Sequence, residues 1–122
     1  MACILVVEDE YHMRRSLATA LSHRGHVVIV AETAAKAFEA ATGARIDLMI
    51  CDVGLPDYSG PELAQRLSEE LPQPIPTIYI TGFADEDLAR HGWNRTDAIL
   101  LKKPFTFSKL IDAIEGVLAG QR

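Results

Sequence analysis

Acidic residues directly follow two short apolar runs, at positions where a carboxylate can do chemistry. Glu8 and Asp9 come after the apolar residues 4–7, and Asp52 comes after the apolar residues 48–51. If both runs are strands of one parallel sheet, their carboxyl ends meet at one edge and the three carboxylates converge. Like charges this close repel each other unless one is protonated or a cation lies between them. Because hard divalent cations prefer oxygen ligands, the pattern predicts a Mg²⁺ site at this edge.

A lysine and a threonine also follow strand-like runs, and both suit a phosphoryl group. Lys103 precedes Pro104, so we expect it to stay extended and to point from its strand toward the carboxylates. There it can pair with a phosphoryl oxygen, although it could also merely neutralise the acids. Thr81 can donate a hydrogen bond to another oxygen of the same group. Since aspartate is a known covalent acceptor of phosphoryl groups, these residues predict nucleophilic attack by Asp52 on phosphorus.

The elements that must position these residues alternate between apolar runs and amphipathic segments. Five runs are typical of strands buried on both faces of a sheet, and they cover residues 4–7, 27–30, 48–51, 77–80 and 98–101. Between them, apolar residues recur at helical spacing, with Thr33 and Ser59 as N-caps and Gly25 and Gly43 as helix ends. A short helix is also predicted at residues 85–91. The alternation predicts an α/β fold, doubly wound around a parallel sheet of five strands.

Length and charge limit the possible functions further. The 122 residues have room for one domain, so we expect no effector domain within them. The net charge of −5 argues against nucleic acid as the main ligand, because phosphate backbones require clustered Lys and Arg. No apolar run approaches the ~18 residues that span a bilayer, and no basic region precedes the first run. We therefore expect a cytoplasmic domain that does not bind membranes.

Taken together and in order, these pieces resemble the receiver domain of response regulators in two-component signalling, the family of the chemotaxis regulators. The matching pieces are ILVVEDE at residues 4–10, Asp52 followed by LPD at 55–57 and SG at 59–60, TG at 81–82, and KPF at 103–105. The resemblance extends over essentially the whole chain, residues 1–122. It implies a flavodoxin-like fold with strand order 2-1-3-4-5.

The resemblance also implies a function in two-component or phosphorelay signal transduction. Asp52 would take a phosphoryl group from a phosphohistidine on a histidine kinase or a histidine phosphotransfer protein. Mg²⁺ would be held by Asp9, Asp52 and the backbone carbonyl of Gly54, with Glu8 acting directly or through water. Such a domain promotes only its own phosphorylation and dephosphorylation, so we do not expect an enzyme that acts on other substrates.

The signal would leave the site through two further residues of the family pattern. By the resemblance, Thr81 and Lys103 contact the phosphoryl group and couple it to the face formed by helix 4, strand 5 and helix 5. That face would bind a downstream protein target, and the domain would be a monomer or a weak dimer.

Two features depart from the common family pattern. Members often carry an aromatic residue three positions before the lysine, and its rotamer reports phosphorylation, but Leu100 stands here. Leu100 can repack, so we do not expect an aromatic switch of the usual kind. Phe83 lies two residues after Thr81, at a position that in the family tunes how fast water removes the phosphoryl group. Bulky Phe83 and small Gly54 predict an altered phosphate lifetime, with Phe83 shielding the site.

Other functions use the same fold class. A flavin-binding domain would need a loop rich in Ser, Thr or Gly after the first strand, whereas the acids at residues 8–10 repel a cofactor phosphate. A small-molecule phosphatase with Asp52 as nucleophile would need a second acid where Gly54 stands. A receiver-like adaptor that binds partners without phosphorylation stays open, as do the cognate kinase, the output target and whether the chain acts alone or within a longer protein.

Overall fold

The computed structural model describes residues 1–91, 93 and 98–120. Within them the strands are β1 (Cys3–Val7), β2 (Val27–Ala31), β3 (Leu48–Asp52), β4 (Thr77–Thr81) and β5 (Ile99–Lys102). The helices are α1 (Tyr11–His23), α2 (Ala34–Gly43), α3 (Gly60–Glu70), α4 (Asp85–Leu88) and α5 (Phe107–Ala119). A 3₁₀ helix (Ala89–His91) directly follows α4. None of the helices in the described part has the length and apolar character needed to cross a bilayer.

The five strands form one parallel sheet in the order β2-β1-β3-β4-β5. This order is the flavodoxin-like arrangement, whose ligands bind beyond the carboxyl ends of the strands near β1 and β3. The pairing sets Val7 beside Cys51 and Thr81 beside Lys102, so the residues that follow β1, β3 and β5 emerge at one edge. The predicted doubly wound α/β fold and its strand order are confirmed.

Two apolar cores lie on opposite faces of the sheet because successive side chains of a strand point to opposite sides. Leu5 and Met49 belong to the core covered by α2, α3 and α4. Ile4 and Ile50 belong to the core covered by α1 and α5. The central strands β1 and β3 therefore supply both cores and have little freedom to move. The residues at the carboxyl ends of β1 and β3 therefore project from firmly packed backbone.

The edge strands are less buried than the sequence suggests. In β2, Val27 is 50% exposed and Val30 is 47% exposed, so the prediction of a second fully buried strand is wrong. In β5, Ile99 is 38% exposed, and the strand covers Ile99–Lys102 rather than residues 98–101. Both strands have a neighbour on one side only, and apolar composition does not reveal which strands lie at an edge.

The predicted helix boundaries hold where a local signal marks them. Thr33 and Ser59 each accept a hydrogen bond from the backbone N–H three residues later, at the starts of α2 and α3. Gly25, with φ of +90°, follows the end of α1 in the left-handed region that favours glycine. Residues 85–91, predicted as one helix, form the single turn of α4 followed by the 3₁₀ helix. At its start, Ala84 makes no side-chain capping bond in the described structure.

Candidate functional site

Three carboxylates meet at the carboxyl ends of β1 and β3. Glu8 directly follows β1, and Asp52 is the last residue of β3. One oxygen each from Glu8, Asp9 and Asp52 lies within 4.8 Å of the others. Glu8 is fully buried and Asp52 is 6% exposed, whereas Asp9 is exposed. The predicted convergence is therefore present, and its two buried members need a positive charge close by.

Lys103 supplies that charge. Its Nζ lies 2.5 Å from Glu8 Oε1 and 2.7 Å from Asp52 Oδ2, as expected from its place at the end of β5. Its backbone N–H donates to the Thr81 carbonyl at 2.7 Å, and its peptide bond to Pro104 is cis. Burial lowers the pKa of Lys103, but the hydrogen bonds to Asp52 and Glu8 outweigh this and raise the pKa above its ordinary value. The lysine therefore stays charged between the two acids.

The acidic cluster also fits a hard divalent cation. Burial raises the pKa of Asp9, and the hydrogen bond and negative charge of Glu8 raise it further, while Lys103 acts in the opposite direction. Three carboxylates beside a single lysine leave an excess of negative charge, and all the donor atoms are oxygens. Carboxylate oxygens are the ligands that Mg²⁺ prefers, and it usually keeps several waters to complete its octahedral shell. The residues present are thus compatible with Mg²⁺.

The loop between β1 and α1 is held by bonds that the sequence did not reveal. Glu10 caps α1 by accepting from the Met13 N–H at 2.6 Å, and its own N–H donates to Glu8 Oε2 at 3.0 Å. Arg14 Nη1 donates to the carbonyls of Glu8 at 2.9 Å and Asp9 at 3.3 Å. Arginine is common one turn into a helix. The sequence therefore gives no signal that Arg14 bonds to the backbone of this loop rather than lying exposed. Its bonds fix the backbone from which two of the carboxylates project.

The connection between β3 and α3 is fixed to the neighbouring helix α2. Asp57 accepts hydrogen bonds from the N–H groups of Ala34 at 2.9 Å and Ala35 at 2.8 Å. Partial burial raises the pKa of Asp57, but these backbone bonds outweigh it and lower the pKa below its ordinary value. Closer to the site, the Gly54 N–H donates to Asp52 Oδ1 at 2.9 Å. The backbone around Gly54 is therefore held at both ends.

Gly60 lets α3 begin against the end of β3. A Cβ at this position would overlap the backbone oxygen of Asp52 and would lie 3.0 Å from the Cys51 sulfur. The Gly60 N–H donates to the Val53 carbonyl at 2.9 Å, which closes the connection into a compact loop. The close approach explains why a residue without a side chain stands here, beyond any need for turn flexibility.

Thr81 and Phe83 lie at the carboxyl end of β4, the strand next to β3. Thr81 is fully buried at the end of β4, and its hydroxyl oxygen accepts from the Phe83 N–H at 3.0 Å. The hydroxyl hydrogen is thus left to act as a donor. The Phe83 ring lies against Gly54, where an added Cβ would be only 2.5 Å from Phe83 Cζ. The two positions predicted to affect phosphate lifetime are in direct contact.

The remaining predicted residues lie beside the site. Leu100 is half-buried in β5, paired in register with Tyr79 of β4, and packs on the core beneath α2, α3 and α4. Lys102, the neighbour of Lys103, instead forms an ion pair with Asp85 at the start of α4. The described structure contains no change of state, so the switch role of Leu100 stays a prediction.

Comparison with known proteins agrees with this arrangement of fold and site. The sequence matches the response regulator receiver domain family over residues 4–115. The chain belongs to this family. It is a receiver domain of the two-component type, and it contains the acidic cluster, the strand-end threonine and the lysine described above.

Individual relatives differ in how much of their length this receiver domain spans. The response regulator receiver protein CpdR of Brucella abortus is 36% identical over 118 residues, which are 97% of this chain and 98% of CpdR. The sensor kinase CckA of the same species is 31% identical over 98% of this chain but 13% of the kinase. The chain spans about half the length of several related transcriptional regulatory proteins. A CheY-like receiver structure from Methanospirillum hungatei superposes with a TM-score of 0.86 at 27% identity, over 99% of this chain and 96% of the other.

Proposed function

We propose that the chain is a phosphoacceptor domain in which Asp52 takes a phosphoryl group from a phosphohistidine. The donor would be a histidine kinase or a histidine phosphotransfer protein. The observation that carries the proposal is the buried Asp52 carboxylate, held 2.7 Å from Lys103 Nζ with Glu8 and Asp9 beside it. Membership of the receiver family and the 31% identity to part of the sensor kinase CckA support the same conclusion.

The proposed site uses Mg²⁺ as its cofactor. Asp9, Asp52 and the backbone carbonyl of Gly54 would hold the ion, with Glu8 acting directly or through water. When bound, the ion supplies positive charge for the oxygens of the phosphoryl group. The Asp57 and Gly60 bonds support this assignment because they hold the backbone of the connection that contains Gly54.

In the proposed transfer, a carboxylate oxygen of Asp52 forms a bond to phosphorus while the phosphorus–nitrogen bond to the donor imidazole breaks. The electron pair of that bond stays on the imidazole, which takes up a proton from solvent and leaves as neutral imidazole. Lys103 has three donor hydrogens, of which Glu8 and Asp52 accept two, so a third is available for a phosphoryl oxygen. The Thr81 hydroxyl hydrogen is available for another. Positioning and charge supply most of the catalysis in such a transfer.

Phe83 is proposed to set how long the phosphoryl group stays on Asp52. Its ring lies against Gly54, the second residue after Asp52, and covers one approach to the site. The Phe83→Ala variant should therefore lose the phosphoryl group faster than the wild type. An unchanged dephosphorylation rate in Phe83→Ala would contradict this role.

The output surface is proposed to be the face formed by α4, β5 and α5, where a downstream protein target would bind. Lys103 and Thr81 connect this face to the site, since Lys103 follows β5 and Thr81 ends the neighbouring strand β4. Leu100 of β5 would repack when they move. We propose that residues 1–122 form one receiver domain, monomeric or weakly dimeric, that binds neither nucleic acid nor membranes and acts on no substrate besides its own phosphoryl group.

The test is direct phosphorylation by a small phosphodonor. The protein is incubated with acetyl phosphate and Mg²⁺, and a phosphoryl adduct is sought by intact mass. We expect an adduct on the wild type with Mg²⁺, and none on Asp52→Asn or after chelation of the metal. No adduct on the wild type would favour an adaptor that binds partners without phosphorylation. An adduct on Asp52→Asn would identify a different acceptor.

A further inference from the structure

The ring of Phe83 is held by a second aromatic ring from the segment that follows β4. The imidazole of His91 stacks on it with ring centroids 3.9 Å apart and an interplanar angle of 10°. The two rings are thus nearly parallel and in direct contact through their faces. The face of the Phe83 ring thus rests on His91 while its far edge lies against Gly54.

One end of this contact reaches the acceptor Asp52 and the other reaches Thr81. The Phe83 N–H donates to the Thr81 hydroxyl, and the Gly54 N–H donates to Asp52 Oδ1. A surface cavity of about 380 Å³ is lined by both Gly54 and His91, so the 3₁₀ helix faces the connection after β3. His91 therefore lies beside the site in space although it is 39 residues away from Asp52 in sequence.

Besides the ring stack, Trp93 holds the segment that carries His91, since its ring lies edge-on to buried Tyr79 at a centroid distance of 5.1 Å and packs against the core. α4 is a single turn, and no side chain caps its start in the described structure. The Asp85–Lys102 ion pair is exposed on both sides, and exposed ion pairs contribute little. Leu88 is the one buried residue of α4. The ring stack is thus one of several contacts that fix this segment, and it is the one made by the ring that lies against Gly54.

We propose that His91 is a positioning residue that holds the Phe83 ring against Gly54 and so slows hydrolysis of the phosphoryl group on Asp52. This rests on the proposed phosphorylation of Asp52. In hydrolysis, a water oxygen bonds to phosphorus, the bond from phosphorus to Asp52 breaks, and a proton of the water goes to solvent. The attacking water must approach in line with the breaking bond. A ring fixed against Gly54 occupies space beside that approach, whereas a freely rotating ring leaves it open part of the time.

The test compares phosphate loss from four variants after the phosphodonor is removed. His91→Ala removes the stacked ring, His91→Phe keeps one, and Phe83→Ala removes its partner, alone and together with His91→Ala. His23→Ala is the matched control, because His23 is exposed at the end of α1. Remaining adduct is followed over time by intact mass, and urea denaturation checks that each variant is folded.

We expect His91→Ala to lose the phosphoryl group about threefold faster than the wild type, from the strength of one aromatic pair. His91→Phe should restore a rate near that of the wild type, and His23→Ala should not change it. In the Phe83→Ala background, adding His91→Ala should have no further effect, since the ring that it positions is gone.

Two results would overturn the inference while leaving the proposed function intact. One is an adduct that decays equally fast in the wild type and in folded His91→Ala. The other is an effect of His91→Ala that persists without the Phe83 ring, which would mean that His91 acts by another route. Absence of any adduct on the wild type would instead overturn the proposed function and the inference together.

A second measurement needs neither Mg²⁺ nor a phosphodonor. The ring protons of His91 should show a ring-current shift in the NMR spectrum that disappears in Phe83→Ala. Identical His91 shifts in the two proteins would show that the rings are not stacked in solution and would overturn the positioning role.

Discussion

Two connections begin at the candidate site, and they differ in how firmly other parts of the molecule hold them. The one between β3 and α3, residues 53–59, is fixed by bonds from Asp57 to the start of α2 and from Gly60 to Val53. The one between β4 and α4, residues 82–84, leads into a single helical turn that no side chain caps in the described structure. That second segment is held by the Phe83–His91 stack, an exposed ion pair, buried Leu88 and the edge contact of Trp93 with Tyr79.

The difference agrees with what the proposed phosphorylation of Asp52 would require of the two connections. Backbone that positions an acceptor and a metal must not move, because small displacements cost much of the catalytic effect. A segment that transmits a signal must be able to change at little cost in free energy, and such segments come from the least stable parts of a fold. The site thus has a tight side after β3 and a loose side after β4.

The largest effect is expected when the two adjacent lysines are compared. Lys103→Met leaves the carboxylates of Glu8 and Asp52 buried without a cation, and should lower the free energy of unfolding by roughly 3 kcal/mol in the presence of a chelator. Lys102→Met removes only the exposed pair with Asp85 and should cost less than about 1 kcal/mol. Urea denaturation of both variants measures the difference.

Addition of Mg²⁺ should affect the stability of the two lysine variants differently. It should restore part of the lost stability in Lys103→Met, because the ion would replace the missing positive charge, and it should leave the effect of Lys102→Met unchanged. Equal losses in the two variants would contradict the pairing of Lys103 with two buried carboxylates.

A smaller loss is expected from Gly60→Ala on the tight side. Its Cβ would overlap the Asp52 backbone, so the start of α3 must shift, at a cost of about 2 kcal/mol. Gly116→Ala in α5 is the matched control, since no described neighbouring atom lies within 4 Å of the added Cβ. That change should stabilise the protein by about 0.5–1 kcal/mol through helix propensity. Thermal unfolding that is the same in Gly60→Ala and the wild type would show that the connection is not tightly packed.

Asp57→Ala should lower the free energy of unfolding by about 1 kcal/mol, as for the loss of a helix N-cap. The pKa of Asp57 is lower in the folded state than its ordinary value. Its contribution to the free energy of unfolding is therefore complete above the unfolded pKa of ~3.9, and it is lost as the pH falls through the lower folded pKa. The difference between the wild type and the variant should therefore be constant from pH 7 to pH 5 and shrink in stronger acid. A difference independent of pH down to acid unfolding would exclude the carboxylate as its cause.

The smallest effect is expected from Ala84→Ser on the loose side. A serine can cap the turn of α4, which should add about 0.5 kcal/mol of local stability. Hydrogen exchange of the backbone amides in residues 85–91 should slow about twofold, while the amides of α3 keep their rates. Unchanged exchange in residues 85–91 would mean that the missing cap is not what leaves this segment loosely held.

Much of the architecture could be predicted from the sequence because its signals are local. Residues 4–7 and 48–51 are apolar runs too short for helices, and each is followed by acids, so their place at a sheet edge needs only the rule for parallel strands. Thr33 and Ser59 correctly predicted the starts of α2 and α3, because an N-cap involves only the next three residues. The family pattern at these positions identified the receiver fold.

Other features depend on where distant parts of the chain meet. The exposure of Val27 and Val30 follows from the position of β2 at the sheet edge. The bonds from Arg14 to the backbone after β1 and from Asp57 to α2 depend on how a helix lies relative to a loop, and neither residue type is unusual where it stands. Such roles leave no trace in local hydrophobic pattern or capping signals.

Residue types and spacing were enough to predict the three converging carboxylates, the lysine and the threonine, because strand ends in a parallel sheet share one edge. Their contacts depend on the tertiary structure. It put Lys103 in contact with both Glu8 and Asp52, and it stacked His91 on Phe83. The physical reason is that residue types and spacing set which groups are available at a strand end, whereas the packing of helices and loops against each other sets their distances.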